Sequence, residues 1–158
     1  MLTFPHFEPH FPRAHWTLPH VLEHQARHRA NRPFLSWTDA GTALTYAEVN
    51  ARVNQLAHGM AAFGIRRREH VGILLPNCLE FLFAWFALNK LGAVEVAISD
   101  AYKGSFLAHP LQLSQSRTLI TTATLAQRLV EIEDQIPIET ILLVTEPGAD
   151  PALAPPAF

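Results

Sequence analysis

Histidines come first, because imidazole moves protons and holds metals near neutral pH more often than any other side chain. The chain has nine. His20, His24 and His28 recur every four residues, which sets them on one face of a helix. Two histidines at that spacing can share a metal ion, but a complete site needs three or four ligands. No cysteine or carboxylate completes the set at a fixed spacing, and no H-E-x-x-H occurs. The expectation is solvated surface histidines and no metal; His6, His10 and His15 read the same way. Cys78 follows a helix cap, where a thiolate could be stabilised. No histidine adjoins it, so a buried, inert thiol is expected. Arg66, Arg67 and Arg68 could meet a phosphate, yet a short charge run between two elements reads first as a solvated turn. No Ser–His–Asp set and no paired carboxylates can be assembled from spacing, so no catalytic residue is assigned.

Phosphate binding has its own signature. Cradling a triphosphate takes a run of backbone N–H groups, in practice clustered glycines before a helix. The glycines are Gly41, Gly59, Gly64, Gly72, Gly92, Gly104 and Gly148, no two of them closer than five residues. There is no G-x-G and no Gly-Lys-Ser/Thr.

The elements that must position any site are plainer. The most apolar stretch is residues 77–99, NCLEFLFAWFALNKLGAVEVAIS. Asn77 and Glu80 have capping-box spacing. The helix that follows is apolar nearly all round and is expected to be buried. Gly92 should end it in the left-handed conformation, and residues 93–98 read as a strand covered on both faces. The apolar run is about ten residues, short of the roughly 20 a bilayer span takes, so no membrane span is expected.

At 158 residues, with 49% apolar and 16% charged residues, the chain is globular and large enough for a sizeable core. A formal net charge of −2 offers no electrostatic case for nucleic acid. One cysteine permits no internal disulfide and fits a reducing compartment. No secretory signal pattern opens the chain, and the cytoplasm is the expected location.

In order, residues 1–16 are proline- and aromatic-rich and should form an extended arm. Thr17 should cap a helix to about residue 31, ended by Pro33. Residues 34–37 and 43–45 read as a hairpin around a turn at 38–41. Residues 45–64 form the clearest amphipathic helix, with a Thr45/Glu48 capping box and Val49, Val53, Leu56, Met60 and Phe63 on one face. Strands are expected at 71–75, 93–98, 117–122 and 140–144. Helices are expected from Ser105 to about 115, weakened by Pro110, and from a Thr124/Gln127 capping box onward, with Leu125, Leu129, Ile132 and Ile136 inward. Residues 147–158 are a proline-rich tail or linker. The domain expectation is therefore an arm at 1–16, an α/β body at 17–146 and a tail at 147–158. The alternation of helix and strand implies an α/β fold, a mainly parallel sheet with helices on both faces. Ligands on such sheets sit beyond the carboxyl ends of the strands, here residues 76–77, 99–103 and 122–124.

The segments LTYAEVNARVNQLAHGMAAFGI (44–65) and HVGILLPNCLEFLFAWFALNKLGAVEVAIS (70–99) resemble the amino-terminal part of the AMP-forming acid–CoA ligases, the adenylate-forming superfamily. AWFALNKLGAVEV and AYKGSFLAH are closest in character to the crotonobetaine/carnitine–CoA ligase-like acyl-CoA synthetases. The resemblance covers about residues 17–144 and implies an incomplete piece of the ligase large domain. It departs from the family at Ala97, where proline is usual, at Ser99, often asparagine, at Arg66–Arg68, usually containing Pro-Gly, and at Pro110, where a helix former is expected. Such enzymes convert a carboxylic acid and ATP to an acyl-adenylate, which the thiol of coenzyme A then attacks. They run to roughly three times this length or more, beyond the prior for one domain. The resemblance implies ATP, Mg and coenzyme A for the complete enzyme and none for this chain alone, since the Ser/Thr/Gly-rich loop and the catalytic lysine come later. It places residues 99–103 toward the coenzyme A side, with Lys103 as the one candidate contact.

Two readings follow. The chain is the amino-terminal portion of an acid–CoA ligase, inactive by itself, whose partner is the remainder of the ligase or, through exposed apolar faces, another copy. Alternatively it is a stand-alone, non-catalytic α/β module for association or small-molecule binding, derived from that family. An unrelated flavodoxin-like binder would place its ligand at the same strand ends.

Overall fold

The computed structural model describes residues 12–37 and 41–145. The expected turn at 38–40, most of the arm and the tail lie outside them. The chain divides into two compact units, Met1–Asn50 and Ala51–Phe158.

In the first unit a short 3-10 turn, Arg13–His15, precedes helix α1, Leu18–His28. The helix is three residues shorter than its pattern suggests. Thr17 occupies the cap in an extended conformation without a side-chain capping bond, and Pro19 in the first turn needs no intrahelical donor there. Strands β1 (Pro33–Trp37) and β2 (Thr42–Thr45) form an antiparallel hairpin. Helix α2, Tyr46–Phe63, follows at once. Its capping box forms as spaced: Thr45 N–H donates to Glu48 Oε2 at 2.8 Å, and Glu48 N–H donates to Thr45 Oγ1 at 3.3 Å. Tyr46 stacks on Phe34, ring centroids 4.5 Å apart.

The second unit carries the sheet. Strands β3 (His70–Leu74), β4 (Val94–Ile98), β5 (Thr118–Thr122) and β6 (Thr140–Val144) are parallel, in the order β4-β3-β5-β6. Helices α3 (Leu79–Leu91), α4 (Gly104–Ser114) and α5 (Ala123–Ala126) connect them, and α5 runs on as a 3-10 helix, Gln127–Gln135. One core cluster joins Leu74, Ile98 and Leu119 of the sheet to Leu107 and Leu111 of α4 and to Leu125, Leu129 and Ile132. Gly72 permits this approach: a Cβ there would lie 2.7 Å from Leu119 Cδ1 and 3.3 Å from Leu111 Cδ2. Neighbouring residues on a strand point to opposite faces, so Ile120 and Leu142 project to the other side.

Several local expectations change. The Asn77/Glu80 box does not cap α3; Cys78 is the N-cap, without a side-chain capping bond. Asn77 stands one residue too early to reach the first free N–H groups. Gly92 does end α3 in the left-handed region, at φ 67. Helix α3 is not enclosed all round: Ala84, Phe86, Ala87 and Leu88 are buried, while Phe81, Phe83 and Trp85 are half-buried. Strand β4 is not covered on both faces, because it is an edge strand; Val94 and Ala97 are exposed. Helix α4 begins after Lys103, not Ser105, and passes through Pro110 without ending. The carbonyl freed by that proline belongs to Phe106, a residue 75% exposed, so water can serve it. The Thr124/Gln127 box gives way to Thr122, whose Oγ1 accepts from Leu125 N–H at 3.3 Å. The inward stripe stands, with Leu125, Leu129 and Ile132 buried.

Candidate functional site

Because the four strands are parallel and in register, their carboxyl ends form one rim. The loop after β4 is the polar part of that rim. Ser99 Oγ accepts from Ala101 N–H at 3.3 Å, and Tyr102 N–H donates to the Ser99 carbonyl at 3.0 Å. Arg128, from the 3-10 helix, donates to the carbonyls of Asp100 and, at 3.2 Å, Tyr102. A guanidinium that spans two carbonyls orders the turn between them. Sequence reasoning missed Arg128, since a contact across 26 to 28 residues leaves no mark in local spacing. Lys103 sits at the N-cap of α4 with an extended backbone, and it is exposed.

The remaining candidates separate. Arg66–Arg68 precede β3 and therefore lie at the amino ends of the strands, the opposite side from the rim. Arg66 Nη1 donates to the Ala61 carbonyl at 2.8 Å, which closes the end of α2, and the Arg66 backbone N–H donates to Glu69 Oε2 at 2.9 Å, which closes the turn before β3. Cys78 is buried, and that burial, with Glu80 nearby, pushes its thiol above the ordinary value. It stays protonated near neutrality, the inert state. His24 and His28 stack at 4.0 Å, and His28 Nδ1 meets the His24 carbonyl at 2.8 Å. Burial first, then the electrostatic influence of the neighbouring His28, Arg27, His20 and Arg29, holds His24 below its usual pKa. Among the described residues no three His, Cys, Asp or Glu side chains gather as a metal site.

A cavity of about 350 Å³ lies on the sheet face opposite the core cluster. Leu56 and Met60 of α2, Phe83 of α3, and Ile120 and Leu142 of the sheet form its apolar wall, with Arg52 at its margin. The Arg52 guanidinium stands 5.8 Å over the Phe83 ring. Apolar pockets of this size are ordinary binding volumes; Glu80 and Arg52 are the charged residues of the lining, a single carboxylate with no second acid or base beside it.

Among the described residues, the donor set at the rim does not suit a nucleotide triphosphate. After β3 comes Pro76, which has no N–H, and the loop after β4 holds Gly104 alone among glycines. No stretch of consecutive N–H groups can close around phosphates there. A grouping able to hold Mg beside them is likewise missing among the described residues.

Comparison with known proteins places this geometry. A family model described as AMP-binding enzyme matches residues 22–156. The chain is 36% identical over 117 residues to a phosphinothricin tripeptide synthetase of Streptomyces viridochromogenes, covering 74% of this chain and 11% of that protein. It is 36% identical over 104 residues to the crotonobetaine/carnitine–CoA ligase of Salmonella typhimurium, covering 65% of this chain and 20% of that one. Among solved structures, a fatty acyl-CoA synthetase of Mycobacterium tuberculosis superposes with a TM-score of 0.74 at 26% identity, over 81% of this chain and 26% of that one. A long-chain-fatty-acid–CoA ligase of Archaeoglobus fulgidus shares the fold, with a TM-score of 0.77 at 23% identity over 91% of this chain and 29% of that one. The chain thus spans between a tenth and a third of the proteins it matches. It belongs to the family of AMP-binding enzymes, and carries the amino-terminal α/β portion of their ligase fold.

Proposed function

We propose that this chain serves as the scaffold portion of an ATP-dependent acid–CoA ligase, which joins a carboxylic acid to coenzyme A through an acyl-adenylate. The observation that carries this reading is the match over residues 22–156 combined with a sheet rim whose described residues build no phosphate cradle. In the complete enzyme ATP and Mg are held by residues outside this chain. This portion supplies the wall on the coenzyme A side, where Lys103 contacts the cofactor's anionic groups and Arg128 positions the loop that carries it. The apolar cavity at Ile120 and Leu142 supports a seat for the remainder of the ligase.

Alone, the chain is expected to be catalytically silent. Acid-dependent ATP–pyrophosphate exchange should be undetectable in a clean preparation, across short, medium and aromatic acids. A measurable rate would overturn the proposal, since it would require a phosphate site these residues do not build. The stand-alone association module is separated from this reading by the coding sequence after codon 158. A continuing frame with a Ser/Thr/Gly-rich loop supports the ligase; its lack supports the module.

A further inference from the structure

Helix α4 is apolar on two sides. Leu107, Ala108 and Leu111 face the core and are fully buried or nearly so. Phe106 and Leu113 point away from it, 75% and 77% exposed. They are two turns apart, so they share one stripe. Tyr102, in the loop before the helix, lies beside that stripe, with its ring 6.4 Å from that of Phe106. Scattered exposed apolar residues are ordinary on a surface. Large ones aligned along a helix form a seam of the kind that pairs with another helix.

The charges around this seam have a polarity. Residues 104–114 contain no Asp, Glu, Lys or Arg. At the amino-terminal end stand Lys103 and Arg128, against the single carboxylate of Asp100. At the carboxyl-terminal end, Gln112 Nε2 donates to the Gln135 carbonyl at 2.7 Å. That bond brings the end of the 3-10 helix, with exposed Glu133 and Asp134, beside the last turn of α4, the negative end of that helix's dipole. Arg117 nearby is paired with Glu139 at 3.3 Å. One end is therefore basic, the other acidic, and the middle is neutral and apolar.

We propose that this face pairs with a second copy of the chain, the two α4 helices running antiparallel about a two-fold axis midway between Phe106 and Leu113. Antiparallel pairing sets Phe106 against the partner's Leu113 and the basic end of each helix against the acidic end of the other. The same patch is used by both copies, as a two-fold interface requires. A parallel arrangement would oppose like charges at both ends. The proposal names the surface for the self-association expected from the sequence. It rests on this helix and its neighbours, not on whether the ligase is active, so it and the ligase reading can fail separately.

Sedimentation equilibrium of the chain should show a dimer. Phe106→Glu or Leu113→Glu should weaken it by at least about tenfold with an unchanged circular dichroism spectrum. Leu143→Glu, on the sheet edge, should leave the dimer intact. Glu133→Lys with Asp134→Lys should weaken pairing, and adding Lys103→Glu should restore part of it. Should the glutamate variants fail to fold, His109→Cys gives a second readout, because residues beside the axis should form an intermolecular disulfide under mild oxidation. A monomeric wild-type chain overturns the proposal. So does a dimer that survives Phe106→Glu or dissolves only with Leu143→Glu. Co-sedimentation of a monomeric chain with phosphatidylglycerol vesicles, lost in Phe106→Glu, would assign the seam to lipid instead.

Discussion

Strands β4 and β5 are each five residues long, VEVAI and TLITT. By composition β4 is the more apolar. Yet β5 is buried at all five positions, and β4 at Ile98 alone. The difference is rank in the sheet. Strand β5 has neighbours on both edges, whereas β4 ends the sheet at one side as β6 does at the other. On β6, Ile141 and Leu143 are each 41% exposed. An apolar run says that a strand prefers cover; only the order of strands says whether this part of the chain supplies it. The same contrast separates α4, with its inner face complete, from α3, whose Phe81, Phe83 and Trp85 are half-buried.

The largest test of that contrast sets centre against edge. Leu119→Ala, at a fully buried position, should cost about 2–5 kcal/mol. Leu143→Ala should cost less than about 1 kcal/mol, as for a surface site. Urea midpoints for the two variants decide it, and equal losses would mean that β6 is covered in solution. A second pair of variants compares the packed face with the one that carries the cavity. Gly72→Ala drives a Cβ against Leu119 and Leu111 and should destabilise by about 1–3 kcal/mol. Gly59→Ala on α2 meets nothing within 4 Å and should stabilise by about 0.5–1 kcal/mol by removing helical glycine. Opposite signs in thermal unfolding sharpen the comparison, and a shared sign would break it. The smallest effect belongs to the loop at the amino ends of the strands. Arg68 has φ 68, a left-handed conformation that costs a side-chain-bearing residue about 1–2 kcal/mol. Arg68→Gly should recover at most about 1 kcal/mol, less the entropy that glycine loses. A loss of stability instead would show that the arginine side chain holds the turn.

Much of the fold was legible because it rests on short-range rules. The α2 capping box, the Gly92 stop and the inward stripe Leu125, Leu129 and Ile132 each depend on residues three or four apart. The N-caps of α3 and α5 were misplaced by one or two residues, because a cap is chosen by where the chain leaves its strand. The candidate site was less legible. Lys103 could be placed at a strand end from pattern alone. Arg128, which holds the loop before it, could not, since nothing local records an approach across a separation of 26 residues.

By itself, the sequence determined the succession of helices and strands, the lack of clustered glycines and the family likeness, because periodicity, backbone donors and motif spacing are local properties. Only the tertiary structure decided which strands are central and which are margins, which arginine reaches the rim, and that α4 shows solvent an apolar seam with unlike charges at its ends. Those depend on contacts between distant residues, which arise only when burial of the sheet brings them together.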